Sequence, residues 1–581
     1  MRATRCFRTL YFGLLLCVTA CGDCSDDGGD TAEDGGHTDG SIAGMGGGGS
    51  GGSTVDGSDP ELDGSTTDDG STPDAQTSDD AGPDGMDDGG DGDGDGGADS
   101  GEDADAASGV SLYVDPETGA DTNPGTMAMP FKTIEHAASL AGDGDTIWLL
   151  DGTYDETTEP KFLGSDAATC GFYSGITLPQ GVTVRAVNAG QAVLSVNAPH
   201  GFCMTGGALV GLDISHPNPG GRLVEISEGE VVITGTRFTN AGTGGGGNEA
   251  AIVATGTAQV TVRPGALTNL VGAPAYAYAR AEDDSRVEIE GGTIAGTSSA
   301  GTSGNSVLVA LENGEIVLDG VTIEQSAQPN AITMVGSSKV SLLNGTVLEG
   351  SSNALNGIHI LGTSTLTIDD SSIQGYGSGI YANIYEATNP TIVATDAVLE
   401  ANTYGMYLGG DTQPLVADVT ITGGRIRNNT QRGVYSNVPG TYAFDGTEIT
   451  GNGTRGLDFW NVANLYTVKL RNATVTGNGT SGVYVTGAAG SSLDLGTLAD
   501  PGDNTFTGNN TAAAASEASV RISLASTTVH AVGNTWSVAQ SANAQGQYSA
   551  AGAGAVVEFT TGTGPNFSID AGTLRVAQNP L

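Results

Sequence analysis

The chain has 581 residues, of which 94 are glycine and only 5% are aromatic, and its formal net charge is −48. So acidic a balance argues against a nucleic-acid binder, which needs a basic footprint to displace counterions. One short apolar run, at residues 10–18, argues equally against a helical membrane protein. That run follows Arg2, Arg5 and Arg8. A basic n-region before an apolar stretch too short to span a bilayer predicts an export signal over residues 1–21.

The stretch ends in Val18-Thr19-Ala20-Cys21. This resembles the lipobox of bacterial lipoproteins and implies acylation of Cys21, with an ordinary cleaved signal and an incidental cysteine as the alternative. The acyl chains would hold the protein on a membrane by burying methylenes at about 0.8 kcal/mol each. Gly22, rather than an acidic residue, follows the cysteine. By resemblance to known sorting rules this implies an outer-membrane lipoprotein, at the cell surface or facing the periplasm.

Residues 22–109 hold 26 of the 68 Asp and Glu and no Lys or Arg. With so few apolar groups no core can offset the entropy of ordering, so a disordered acidic tether is expected. Its neutral equivalent would span about 50 Å, and like charges extend it. Inside it Asp91, Asp93, Asp95, Gly96, Asp99 and Glu102 fit a calcium-loop spacing. An Asp-Gly tract generates that pattern by chance, and no helices are expected to flank it, so loose cation condensation is the simpler reading. No cofactor is expected from this sequence, and calcium is the one alternative it offers.

From residue 110 to 581 short β-rich runs alternate with Gly, Asn and Asp turns. A phrase recurs at Gly357-Ile-His-Ile, Gly379-Ile-Tyr-Ala, Gly405-Met-Tyr-Leu, Gly433-Val-Tyr-Ser, Gly456-Leu-Asp-Phe and Gly482-Val-Tyr-Val, with glycines 22, 26, 28, 23 and 26 residues apart. A second phrase, as in Asp319-Gly320-Val321-Thr322-Ile323 and Asp445-Gly446-Thr447-Glu448-Ile449, reads as a turn into a short strand. A repeat near 25 residues with no helix predicts an all-β solenoid of parallel strands. A dozen or more coils would form a rod of at least ~60 Å. Asn353, Asn429, Asn452 and Asn478 each stand four residues before a repeat glycine. They either form an amide ladder or simply tolerate turn geometry.

The start of this region carries Leu112-Tyr113-Val114-Asp115, Asn123-Pro124-Gly125-Thr126, Pro130-Phe131, Thr133-Ile134, Gly144-Asp145-Thr146-Ile147 and Gly152-Thr153-Tyr154 in order. This resembles the opening of pectin-lyase-like right-handed parallel β-helices, in particular a group of uncharacterised bacterial secreted proteins and lipoproteins. The resemblance implies one β-helix over 110–581 with a capping helix, and 131–141 fits that helix with Phe131, Ile134, Ala138 and Ala141 on one face. It says little about activity, because the scaffold carries lyases, hydrolases and adhesins alike.

Cys170 and Cys203 lie 33 residues apart in a chain expected outside the cytoplasm, where a disulfide is the economical reading and two buried thiols the alternative. Cys24 would remain unpaired in the tether.

The outward residues of the six glycine phrases are His359, Tyr381, Tyr407, Tyr435, Asp458 and Tyr484. Stacked coils would align them as a rail for glycan rings, or as tyrosines that only shield the sheet. Residues 425–471 hold Arg425, Arg427, Arg432, Arg455, Lys469 and Arg471 against three acids, inside a net acidic body. Guanidinium groups here could pair with the carboxylates of an acidic glycan, or this could be solvated coil surface. A lyase would use Arg432, Arg455, Lys469 or Asp458 for proton transfer. A hydrolase would need facing carboxylates. Asp369-Asp370 and Arg425-Ile426-Arg427 echo the polygalacturonase-like motifs without the rest of that set. The reading is a monomeric, surface-anchored lipoprotein. It meets the membrane only through its anchor and binds acidic or neutral polysaccharide, or another surface partner, without catalysis. The alternative is a lyase or hydrolase acting on uronate glycans.

Overall fold

The computed structural model describes residues 109–536 apart from short stretches, the longest being 241–249, 265–276 and 297–305, together with the strands Val557–Phe559 and Ser568–Ile569. Residues 1–108 lie outside it. So do the expected signal, nearly all of the tether, Cys21, the calcium-pattern residues Asp91, Asp93, Asp95 and Glu102, and Asn353.

The described chain winds as a parallel solenoid. Two sheets have 15 strands each and a third has 10, and each strand pairs with its equivalents in the coils before and after. One full coil runs Asn356–Gly362 in the second sheet, Thr365–Asp369 in the first and Ser372–Gln374 in the third. Pairing is parallel and in register, so side chains far apart in sequence form straight rows. Ile358, Ile380, Met406, Val434, Leu457 and Val483 make one inward row. Leu366, Ile392, Val419, Tyr442, Val468 and Leu493 make another from the first sheet. Every residue of both rows is buried. The period-2 pattern thus fills the interior, and stacking the next coil covers each open face.

The corner between first and third sheets is two or three residues long and needs one residue in left-handed backbone. Gly320, Asn344, Asp370, Asp396, Gly423, Gly446 and Asn472 occupy it in successive coils, with φ between 45° and 67°. Only Gly, Asn and Asp enter that region at low cost, which explains the recurring turn phrase.

The glycine of the other phrase serves a different need. A Cβ on Gly405 would stand 2.5 Å from the Gly433 carbonyl oxygen and 3.1 Å from Asn429 Nδ2, and Gly433 faces Gly456 O and Asn452 Nδ2 in the same way. The neighbouring coil leaves no room for a side chain. The asparagines behind these glycines do form a ladder. It runs Asn402, Asn429, Asn452, Asn478, Asn509, each Oδ1 accepting from the backbone N–H of the residue one coil earlier. Each Nδ2 also donates inward, as Asn452 does to Ile426 O at 3.1 Å.

A helix, Ile134–Leu140, covers the first coils with Ile134, Ala137 and Ala138 buried. It starts later than the apolar pattern suggested, because Thr133 caps it, its side chain accepting from His136 N–H. Phe131 is buried ahead of the helix, bridged to Val114.

Candidate functional site

The six outward residues of the glycine phrases fall into one file on the second sheet. Register continues it in both directions: Thr333, His359, Tyr381, Tyr407, Tyr435, Asp458, Tyr484, Arg521. Ring centroids are 5.1 Å apart for His359–Tyr381, 5.4 Å for Tyr381–Tyr407 and 4.9 Å for Tyr407–Tyr435. These spacings follow the strand separation.

Exposure divides the file. His359, Tyr381 and Tyr407 are half-buried and keep part of their surface exposed. Tyr435 and Tyr484 are only 8% and 9% exposed, and Asp458 is fully buried. The later tyrosines therefore behave as shielding rings, while the earlier ones present surface. Burial drives the His359 pKa down to about 4, so its ring is neutral at ordinary pH. Its Nδ1 lies 3.5 Å from Asn330 Nδ2.

A second outward position lies three residues before each file residue, immediately ahead of the repeat glycine. Tyr404, Arg432 and Arg455 occupy it. Tyr404 meets Tyr407 edge-on at 5.2 Å. The Arg432 guanidinium lies 4.7 Å from the Tyr435 ring centre and 5.8 Å from that of Tyr404. Arg455 lies 4.1 Å from the Tyr484 ring centre, and Arg521 covers that ring at 5.2 Å. Both Arg432 and Arg455 grip the buried Asp458, through Nε–Oδ2 at 2.6 Å and Nη1 to both oxygens at 3.1 Å. A fully buried carboxylate is tolerable only because two cations share it.

The basic segment 425–471 is split among faces instead of forming one patch. Arg425 and Arg427 lie on the third sheet, paired with Glu448 at 3.1 Å and Glu400 at 2.5 Å. Lys469 lies on the first sheet and bonds Asp500 at 3.0 Å, next to Arg471, which holds both Asp494 and Asp500. Arg432, Arg455 and Asp458 alone join the tyrosines. Asp369 ends a first-sheet strand and Asp370 occupies the left-handed corner, so that acidic pair and His359 belong to different faces.

Sequence reasoning passed over Tyr404 and Trp460. Tyr404 could have been found, since it precedes Gly405 as Arg432 precedes Gly433. Trp460 follows Asp458 by two positions on the same strand, so it points to the same side, and it is 57% exposed. Cys170 and Cys203 are joined by a disulfide. Among the described residues one group of potential metal ligands converges, Cys170, His200 and Glu225.

Residues 305–467 match the family model described as right handed beta helix region. A right-handed turn is also what parallel crossovers take as a rule. The described domain is a right-handed parallel β-helix. At its start, residues 117–168 match a family of unknown function, DUF1565. Over 59 residues the β-helix protein is 46% identical to the uncharacterized protein YwoF of Bacillus subtilis (strain 168), a match covering 10% of this chain and only 12% of that protein. Solved structures similar to it include a rhamnogalacturonan lyase (13% identity, 56% of this chain and 83% of that one, TM-score 0.31). An alginate lyase is similar at 13% identity, covering 70% and 81%, with TM-score 0.31.

Proposed function

We propose that this protein is an exported, acyl-anchored lipoprotein whose β-helix binds polysaccharide along the second-sheet face without cleaving it. The observation that carries the reading is the more exposed part of the file: His359, Tyr381 and Tyr407 stacked coil upon coil with Tyr404 edge-on to Tyr407, and the exposed Trp460 two coils further along the same sheet. Aromatic rings offer rigid apolar faces with polar tips, which suits sugar rings that are apolar on one side and hydroxylated at the edge. Their repeat follows the coil rise, close to the length of one pyranose unit. Arg432 closes one end of this stretch and suits an acidic sugar as well as a neutral one.

A non-catalytic role fits the arginines. Arg432 and Arg455 both direct their charge at Asp458 and their flat faces at tyrosine rings, an arrangement that fixes side chains rather than releasing a base. The second reading, elimination on a uronate glycan, is favoured by the partial exposure of these same two arginines, 28% and 19%.

Binding to a panel of neutral and uronate polysaccharides tests the first reading. Tyr407→Ala and Trp460→Ala should each weaken binding about tenfold, the loss expected of an aromatic anchor. Equal binding by both variants and the parent removes the tyrosine face from consideration. Ultraviolet absorbance from new unsaturated ends, lost in Arg455→Ala, would establish the lyase instead.

A further inference from the structure

Cys203 belongs to the second-sheet strand His200–Met204 and is the file residue of its coil, paired with Thr177 before it and Glu225 after it. His200 stands three residues ahead of Cys203, the place Arg432 holds ahead of Tyr435, and Gly201 follows it as Gly433 follows Arg432. Its ring therefore turns to the same side. His200 Nδ1 lies 2.8 Å from Glu225 Oε2, and Arg222 holds the other carboxylate oxygen at 2.8 Å. The ligand atoms of Cys170, His200 and Glu225 all lie within 4.8 Å of one another. Cys203 Sγ is bonded to Cys170 Sγ and so adjoins the same point. Gly175 roofs it closely: a Cβ there would be 3.2 Å from Cys203 Sγ and 2.9 Å from His200 Cβ.

We propose that reducing this disulfide converts the cluster into a binding site for a thiophilic divalent cation such as zinc. In the oxidised protein the two sulfurs are bonded to each other and offer no thiolate. A dithiol reductant supplies two electrons and two protons; the S–S bond breaks, two thiols form, and the dithiol leaves as its own disulfide. Cation binding then releases both thiol protons and recruits two thiolates, one imidazole nitrogen and one carboxylate oxygen. Two sulfurs, a nitrogen and an oxygen are a tetrahedral zinc set, with Zn–S near 2.3 Å and Zn–N near 2.1 Å. Tetrahedral ligands at those lengths sit roughly 3.4–3.8 Å apart, so the three donors of Cys170, His200 and Glu225, already within 4.8 Å, need only small rotamer changes, and the Cys203 sulfur, once released from Cys170, turns in as the fourth. The cation would sit against His200 Nδ1 and Glu225 Oε2, which already face each other at 2.8 Å, and Arg222 keeps the carboxylate oriented from behind. Disulfide and cation are thus mutually exclusive occupants, and the redox poise outside the cell decides between them.

The test uses the full chain with Cys6, Cys17, Cys21 and Cys24 changed to Ser, leaving only the pair in question. Cobalt(II) is the probe, because thiolate ligation gives a charge-transfer band in the near ultraviolet. The folded, dithiol-treated protein should take up one equivalent with that band, zinc should displace it, and the oxidised protein should show none. His200→Ala and Glu225→Gln, folded by circular dichroism, should each lower cobalt affinity at least about tenfold. A reduced protein without the band, equal affinity in both variants, equal binding by the oxidised form, or reduced coils that unfold and are not restored by cation would each overturn the proposal.

Discussion

Replacing Asn452 by alanine should be among the most damaging single changes in the coil stack. Its side chain is buried and makes four hydrogen bonds. Oδ1 accepts from Asn429 N–H at 3.2 Å and from Asn429 Nδ2 at 2.9 Å, while Nδ2 donates to Ile426 O at 3.1 Å and Asn478 Oδ1 at 2.9 Å. A buried group stranded without its partner costs about 1–3 kcal/mol. Four losses that share partners are not additive, so about 3–6 kcal/mol is expected. A suitable control is Asn188→Ala, an exposed asparagine whose side chain bonds the Asp151 carboxylate, which should cost under about 1 kcal/mol. Gly405→Ala attacks the same seam from the other side, forcing a methyl to within 2.5 Å of Gly433 O, and should be comparably harmful. Urea titration followed by far-ultraviolet circular dichroism measures all three. Because each coil touches only its neighbours, a break at Asn452 should also split the transition into two steps. An Asn452→Ala midpoint equal to that of Asn188→Ala would refute the idea that the ladder joins the coils.

Glu159 is buried and caps the helix, accepting from Ile134 N–H at 2.6 Å and Glu135 N–H at 3.2 Å. Burial pushes its carboxyl up to about 7, against an ordinary value of 4.5, so its contribution is complete below about pH 4.5 and is lost as pH rises through 7. Glu159→Gln should remove on the order of 3 kcal/mol of pH-dependent destabilisation between those limits; melting curves at both ends with the same pH slope in variant and parent would exclude the assignment. Cys21→Ser should move the protein from the membrane to the soluble fraction of the producing cells and abolish fatty-acid labelling, whereas membrane retention would point to an ordinary signal or another anchor.

Much of the fold was legible because a parallel solenoid converts sequence period directly into spatial order. Once Gly357, Gly379 and Gly405 were aligned, the outward file followed, and the register confirms each pair. Fixed spacing failed where coils differ by a residue. Asn402 stands three residues before Gly405, not four, yet it belongs to the ladder and donates inward to Ile373 O. The division of the arginines was not legible, since it depends on which of three sheets each short strand joins. Nor was the burial of Tyr435, because burial depends on what packs over a strand, and alternation specifies only which side a residue faces.

What distinguishes one coil from another is therefore concentrated in two positions of the second-sheet strand: the file residue and the residue three before it. His200 with Cys203, Arg222 with Glu225, Tyr404 with Tyr407, Arg432 with Tyr435, and Arg455 with Asp458 all occupy this pair of places. In four of the five both members touch each other directly, twice as ion pairs, once ring against ring and once as a guanidinium over a ring. A glycine follows the earlier member in four of the five, and Leu223 does so in the coil of Glu225. Inward rows and corners are held constant by packing and backbone geometry, so chemistry can vary only where the strand faces outward. The disulfide cluster and the tyrosine face are then two uses of one structural slot, many coils apart, and a change in either should leave the other intact. Loss of polysaccharide binding in His200→Ala, or of cobalt uptake in Tyr407→Ala, would show that the slots are coupled through the stack after all.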